Sequence, residues 1–550
     1  MGEVPQMSAV MTETTDRGAT RRYDAVIVGA GFSGLYQLHQ LRDQLGLSVL
    51  LLEAGDGVGG TWFWNRYPGA RCDSESYYYS YSFSKELEQE WQWTERYPEH
   101  GEIRSYLNHV ADRFDLRRDI QLGTRVAGAR FDDAANRWTI TTEAGEAFEA
   151  AFFITAVGCL STANIPDLPG LDTFQGQWFH TGRWPHEGVD FTGKRVGLIG
   201  TGSTGIQATP VIAEQASHLT VFQRTANYSV PARNDRLAPG ALDRIKAEYG
   251  AIRDKARSTI NGHPFDFSDT PALDVSAEER QRRYEAAWEQ GGLRFRAVFS
   301  DLVRDKAAND TASDFIRAKI GSIVHDPRTA AMLTPMDHPF ASKRPPIDSG
   351  YFETFNRADV TLVDVKATPI LEVTATGIRT SDADYALDII VFATGFDAMT
   401  GPLLAMDIHG SGGRSLREDW AAGPRTYLGL QTAGYPNMFT ITGPGSPSVL
   451  TNMPIAIEQH TQWITECIRS MRARGQQRIE AKPDASDAWV DHVNDAANAT
   501  LLPLANSSWY LGANVPGKPR VFMPYAGGMA HYASVCADVA RDGYRGFTIR

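Results

Sequence analysis

A strand, a glycine turn, a helix and a second strand occur twice in this chain, and few folds accommodate that pattern. Tyr23 to Val28 (YDAVIV) is apolar and β-branched and runs into Gly29-Ala30-Gly31-Phe32-Ser33-Gly34; Leu47 to Leu52 then ends in Glu53. Lys194 to Ile199 (KRVGLI) runs into Gly200-Thr201-Gly202-Ser203-Thr204-Gly205, and Leu219 to Phe222 leads to Gln223-Arg224-Thr225. Each is a dinucleotide-binding βαβ unit: one glycine for the tight turn, one for backbone approach to a pyrophosphate, one for packing helix on sheet. The helix N-terminus that follows favours the anion. Glu53 and Arg224 each stand 24 residues after the first glycine of their unit. An acid there suits a free ribose 2′-hydroxyl, as in FAD or NAD. A planar guanidinium suits a 2′-phosphate, as in NADPH.

The two units predict an α/β chain with two Rossmann-like, three-layer domains. At 550 residues it is too long for one ordinary core. Lys plus Arg number 54 against 66 Asp plus Glu, a net charge of −12. That balance argues against nucleic acid or an anionic membrane as the main partner. Cys72, Cys159, Cys467 and Cys536 show no CxxC or CxxxxC spacing, which disfavours a disulfide framework, a zinc site and a redox-active disulfide. A cytoplasmic setting fits. Residues 1–21 are polar and read as a disordered tail, and no apolar run approaches a membrane span.

Between the units, 126–153 alternates as antiparallel strands (RVAGARF, RWTITT, AFEAAFFIT). Residues 232–335 change character to a charged, helix-like stretch, read as an inserted helical subdomain with solvated charged faces. Ser276 to Glu279 there reads as a capping box. Four segments invite a chemical reading beside a bland one. Gly59 to Asp73 (GGTWFWNRYPGARCD) sets flexible glycines beside Trp62, Phe63, Trp64 and Tyr67: a loop against a flat ring system, or buried aromatics. Its Asp73 is a surface acid, an N-cap or the partner of a cation. Lys343 and Arg344 precede Pro345-Pro346, which impose an extended loop; the pair is an anion site or simply exposed. Leu450 and Met453, read as just before a helix, line an apolar pocket or are plain core. Phe174 to Pro185 (FQGQWFHTGRWP) sits beside the second unit and reads as a hinge.

Phe174, Gly176, His180, Trp184 and Pro185, between two GxGxxG units, resemble the fingerprint of type I Baeyer–Villiger monooxygenases, most closely the phenylacetone and steroid monooxygenase branch. GGTWFWNRYPGARCD, the SKR loop, FATGFD and SWYLGANVPGKPR extend the resemblance from Tyr23 to the C-terminus. It implies an FAD- and NADPH-dependent enzyme that inserts an oxygen atom of O2 beside a ketone carbonyl, through a C4a-peroxyflavin, giving an ester or lactone. Related flavin N-hydroxylases and sulfide oxidases share the plan, and a plain NADPH-dependent flavin reductase is a more distant reading.

The resemblance implies Arg344 as the active-site arginine and Asp73 as its partner. Gly29, Gly31, Gly34, Glu53, Thr61, Trp62 and Asp73 would hold FAD. Tyr79, Gly200, Gly202, Gly205, Arg224, Thr225, Lys343 and Trp509 would hold NADP, with Tyr79 near the nicotinamide. Phe174, Gly176, His180 and Trp184 would form the hinge, and Leu450 and Met453 the substrate pocket. His180 would couple domain movement rather than act as an acid or base. No metal is implied. The implied boundaries are 22–159 and 393–550 for the FAD-binding domain, 160–231 and 336–392 for the NADPH-binding domain, and 232–335 for the helical insertion.

Overall fold

The computed structural model describes residues 21–550. The expected tail lies outside them except for Arg21, which opens the first strand, Arg21–Val28. Two sheets organise the chain. The larger has eight strands. Its spine is Ala147–Thr155, Arg21–Val28 and Val49–Leu52, all parallel, with Ile120–Gln121 at one edge. Ala25, Val26 and Ile27 are wholly buried, as expected of a strand covered on both faces. The alternating stretches form antiparallel Val126–Asp132, Arg137–Thr142 and Ala147–Thr155 in the same sheet. Two late strands complete it: Met438–Thr440 pairs with Ala147–Thr155, and Asp407–His409 with Val126–Asp132.

The second sheet is entirely parallel, in the order Val360–Asp364, His218–Gln223, Arg195–Ile199, Ile389–Phe392, Gln177–His180. The middle third of the fingerprint is thus an edge strand, with His180 beside Phe392. The chain passes between the sheets twice, after Thr155 and after Phe392. The two passages lie side by side: Ala163 bridges Phe396, Asn164 N–H donates to the Gly395 carbonyl (2.9 Å), and Asp397 N–H to the Thr162 carbonyl (2.8 Å).

Residues 232–335 are helical, with Ala241–Ala247, Tyr249–Ser258, Ala277–Gln290, Lys306–Ile323 and Pro327–Leu333 the principal helices. Ser276 Oγ accepts the Glu279 N–H at 3.2 Å, one half of the expected box; the Glu279 carboxylate turns to Arg282 and Arg283 instead. This segment is less of a separate body than the sequence suggests. Phe315, Ile316 and Ile320 share a core with the second sheet, whereas Leu242 and Ala256 pack into the core of the first. Nor are its charged faces all solvated: Arg253 is buried against Glu88 and the Tyr78 and Tyr81 carbonyls. Among the described residues no helix is long and apolar enough to cross a membrane.

Candidate active site

Both glycine turns require glycine. Gly29 has φ +104°, and a Cβ there would lie 2.6 Å from the Ala156 carbonyl oxygen; Gly200 has φ +111° and would meet the Ala393 oxygen at 2.4 Å. Gly34 and Gly205 close on the carbonyls of Gly29 and Gly200, at 1.8 and 2.0 Å from a would-be Cβ. The helices that follow, Phe32–His39 and Ser203–Ala213, have no side-chain N-cap, whereas Ser84, Ser276, Asp305 and Asp326 cap other helices. First-turn N–H groups left uncapped at a glycine turn are what a pyrophosphate takes up. The residues present therefore fit two dinucleotides.

Glu53 is 4% exposed, and its carboxylate accepts the Ala30 N–H (2.6 Å) and the Gly55 N–H (2.8 Å). Burial raises its pKa against those bonds. Each oxygen keeps a lone pair for a ribose hydroxyl. Gly60 lies against Gly31, with Trp62 buried behind it and Thr61 exposed. At the second unit Arg224 is exposed, and among the described residues it has no ion-pair partner. Lys343 donates to Ser507 Oγ at 2.8 Å. Burial lowers its pKa, Asp337 opposes this, and the charge of Arg224 lowers it further. Two cations close enough to feel one another suit a phosphate. Thr225 offers its carbonyl to the Thr201 hydroxyl at 2.9 Å.

Arg344 and Asp73 meet, 271 positions apart in sequence: Nε donates to Oδ2 at 2.5 Å and Nη2 to Oδ1 at 2.7 Å. Nη1 donates to the Val449 carbonyl at 3.0 Å. Three of the five guanidinium donors are engaged, so two remain for a ligand. Burial opposes charge on both groups, yet each holds the other ionised: Asp73 lies below the ordinary carboxylate range and Arg344 above the ordinary guanidinium range. Neither is a proton carrier.

The supports of this pair were not visible in the motifs. Arg71 ties its loop to Glu95 and Glu99, and Glu75 ties it to Arg96 (2.7 Å) and Arg294 (3.1 Å). The SKR loop leaves a left-handed Ala341 (φ 59°), and Asn309 grips Phe340 by both its N–H (3.0 Å) and its carbonyl (2.8 Å). The Arg344 N–H donates to the buried Tyr510 hydroxyl at 3.1 Å. His263 donates from Nδ1 to the Asn261 carbonyl and accepts the Ser74 hydroxyl at Nε2 (3.1 Å). Burial and the charge of Arg344 push its pKa to about 3, so it stays neutral.

Trp509 packs edge-on against Tyr510, and Leu450 and Met453 join the same apolar cluster with Val449 and Met399. Met453 is the first residue of the helix Met453–Ala473, not a residue preceding it. Tyr79 stands with the first unit: its hydroxyl accepts the Trp62 Nε1–H (3.3 Å), and its ring packs edge-on against Phe32, directly after Gly31. His180 is buried; Nδ1 accepts the Gly182 N–H at 3.0 Å, and Nε2 has no formed partner near the Gly395 and Asn164 carbonyls. It therefore touches both inter-sheet passages. Burial lowers its pKa to about 4, helped by Arg183. Gly176 packs on Phe174 and the Asp388 carbonyl, and Trp184 is buried against Phe179 and Phe191.

Residues 23–237 match the family described as FMO-like, flavin-binding monooxygenase-like. A Baeyer–Villiger monooxygenase of Pseudooceanicola batsensis is 44% identical over 97% of both chains. A phenazine N-monooxygenase of Lysobacter antibioticus is 44% identical over 96% of this chain and 97% of its own. An oxidised steroid monooxygenase bound to NADP superposes with a TM-score of 0.92 at 54% identity, covering 96% of this chain and 99% of that one. With two cradles for dinucleotides, a buried arginine–carboxylate pair and full-length similarity of this degree, the chain belongs to the Baeyer–Villiger monooxygenases.

Proposed function

We propose that Arg344, oriented by Asp73, is the group that activates the ketone in an NADPH-dependent Baeyer–Villiger oxygenation. The single observation that carries this is the doubly hydrogen-bonded Arg344–Asp73 pair, with donors to spare. FAD and NADPH are the cofactors, and the enzyme is an oxidoreductase that uses O2. When bound, FAD reduced by NADPH would supply the electrons that activate O2. The protein's part is electrostatic. A ketone carbonyl under attack gathers negative charge on its oxygen, and the two free guanidinium donors face that charge without releasing a proton. Asp73 balances the cation and fixes its plane.

In this reading Gly29, Gly31, Gly34, Glu53, Thr61 and Trp62 hold FAD, with Asp73 beside it. Gly200, Gly202, Gly205, Arg224, Thr225, Lys343 and Trp509 hold NADP. Tyr79, whose ring meets Phe32 and whose hydroxyl meets Trp62, stands with NADP near the nicotinamide, which must come to the flavin turn to reduce the flavin. Leu450 and Met453 line the ketone pocket, and His180 couples the two passages between the domains. Four buried free cysteines support a reducing, cytoplasmic setting. Purified holoenzyme supplied with NADPH, O2 and a graded set of ketones should form esters or lactones in step with NADPH consumption. The phenazine N-monooxygenase relative supports a second reading, nitrogen oxidation. Turnover of amines or N-heteroarenes with every ketone left untouched would replace the first reading by the second.

A further inference from the structure

The turn Gly292–Ala297 sends two arginines toward the active site, and only one of them is paired. Gly291 and Gly292 set the turn with φ 72° and 74°, and Gly292 has no room for a Cβ beside the Tyr97 hydroxyl. Arg294 goes to Glu75, which Arg96 also binds. Asp73 is taken by Arg344. Arg296 is left over. Among the described residues it makes no side-chain hydrogen bond or ion pair, and its Nε is buried without a partner. It lies within electrostatic reach of Arg344, Asp73, Tyr510 and His263. A half-buried guanidinium with no acid is expensive to keep beside a second cation. An anion arriving from outside resolves it.

Two arrivals are conceivable, and position separates them. The turn that carries Arg296 is joined to the loop that carries His263: the Ser268 N–H donates to the Ala297 carbonyl at 2.9 Å, and the Arg294 guanidinium lies 5.2 Å above the centre of the Phe265 ring. That loop is in turn seated on the pocket segment. The Asn452 N–H donates to the Asn261 carbonyl at 2.9 Å, and Gly262 lies so close that a Cβ would meet Thr451 Oγ1 at 2.6 Å. Leu450 and Met453 flank those residues. Arg296 is therefore on the ketone's side of the site.

Resting on the ketone-oxygenation reading above, we propose that Arg296 is a specificity-determining residue that binds a carboxylate carried by the substrate. The preferred class is then a keto acid, with its carbonyl at Arg344 and its carboxylate on the Arg296 fork, an arrangement a guanidinium makes with two parallel charge-assisted bonds. A neutral ketone leaves Arg296 uncompensated.

The test uses methyl keto acids from 4-oxopentanoate to 7-oxooctanoate and the matching neutral amides, with wild-type holoenzyme, Arg296→Met and Arg296→Lys. Binding is read from the perturbation of the flavin spectrum in the oxidised enzyme–NADP+ complex, turnover from ester formation. For at least one chain length the wild type should bind the acid about tenfold or more better than the amide. Arg296→Met should erase that ratio and Arg296→Lys restore part of it. An acid-to-amide ratio near one in the wild type, or a ratio unmoved by Arg296→Met, overturns the proposal. A weakened NADP+ affinity in Arg296→Met with the ratio intact also overturns it, assigning the guanidinium to the coenzyme. Because the spectral titration needs no turnover, it decides the matter even if no ketone is oxygenated, the result that would instead sink the parent reading.

Discussion

The two glycine turns have nearly the same backbone and different surroundings. Gly29 and Gly200 differ by only a few degrees in φ, and both abut a carbonyl that excludes any side chain. Around the first, everything closes in: Gly60 stands against Gly31, and Glu53 is buried and hydrogen-bonded to the turn itself. Around the second, space is left. A Cβ on Gly202 would touch nothing within 4 Å, and Arg224 is exposed and unpaired among the described residues. In the proposed assignment, one backbone device serves a flavin in closed walls and a nicotinamide coenzyme in open ones.

Substitutions can break this contrast. The largest effect is expected from Gly29→Ala, which adds a methyl into the Ala156 carbonyl at a left-handed φ; the purified variant should carry essentially no flavin. Its counterpart Gly202→Ala has room and an ordinary φ of −80°. It should keep its flavin and fold and show only a raised KM for NADPH. A Gly202→Ala protein that also lost flavin would refute the contrast. Next comes Arg344→Ala, which should lower ester formation by roughly 10²–10³ while flavin content stays full and NADPH still bleaches the flavin. Smaller again, Arg224→Ala should raise the KM for NADPH by about tenfold and leave that for NADH nearly unchanged; equal effects on both coenzymes would remove Arg224 from the 2′-phosphate.

The smallest effect concerns His180. Its pKa falls from 6.5 to about 4 on folding, chiefly through burial. Between those values the unfolded chain binds more protons, so stability rises with pH there and is lost as pH falls through the window. His180→Gln should flatten part of that slope in urea titrations between pH 4 and 6.5. It should slow NADPH handling severalfold without removing an acid–base limb from the pH–rate profile. A lost limb with normal NADPH handling would make His180 a proton-transfer group.

What the sequence made legible were features carried by local chemistry. Two glycine turns, their strands and the opposite charges of Glu53 and Arg224 are short-range patterns that physics ties to one geometry. Asp73 and Arg344 were individually ambiguous, and only the motif resemblance paired them. The supports were illegible for a different reason. Glu75 with Arg294, Asn309 with Phe340 and Ser74 with His263 join positions far apart through a helical segment whose charge content reads as solvated surface. Which charged residues of such a segment turn inward depends on what packs against it. Tyr79 illustrates the same limit: nothing in SESYYYSYS distinguishes the tyrosine that meets Phe32 and Trp62 from its neighbours.

The late strands of the first sheet have a consequence for how the chain is made. Asp407–His409 and Met438–Thr440 pair with strands that emerge more than 250 residues earlier, so the first sheet stays unfinished while the whole second sheet, 177–392, is synthesised. Pairings of such long sequence separation form slowly. The coenzyme-side unit is expected to fold first during synthesis, and the flavin cradle to be completed last. Free FAD would then act at the final step of assembly, and flavin-starved expression should yield protein whose second sheet resists protease while the first sheet and the helices packed on it, Ala241–Ala247 and Tyr249–Ser258, are labile.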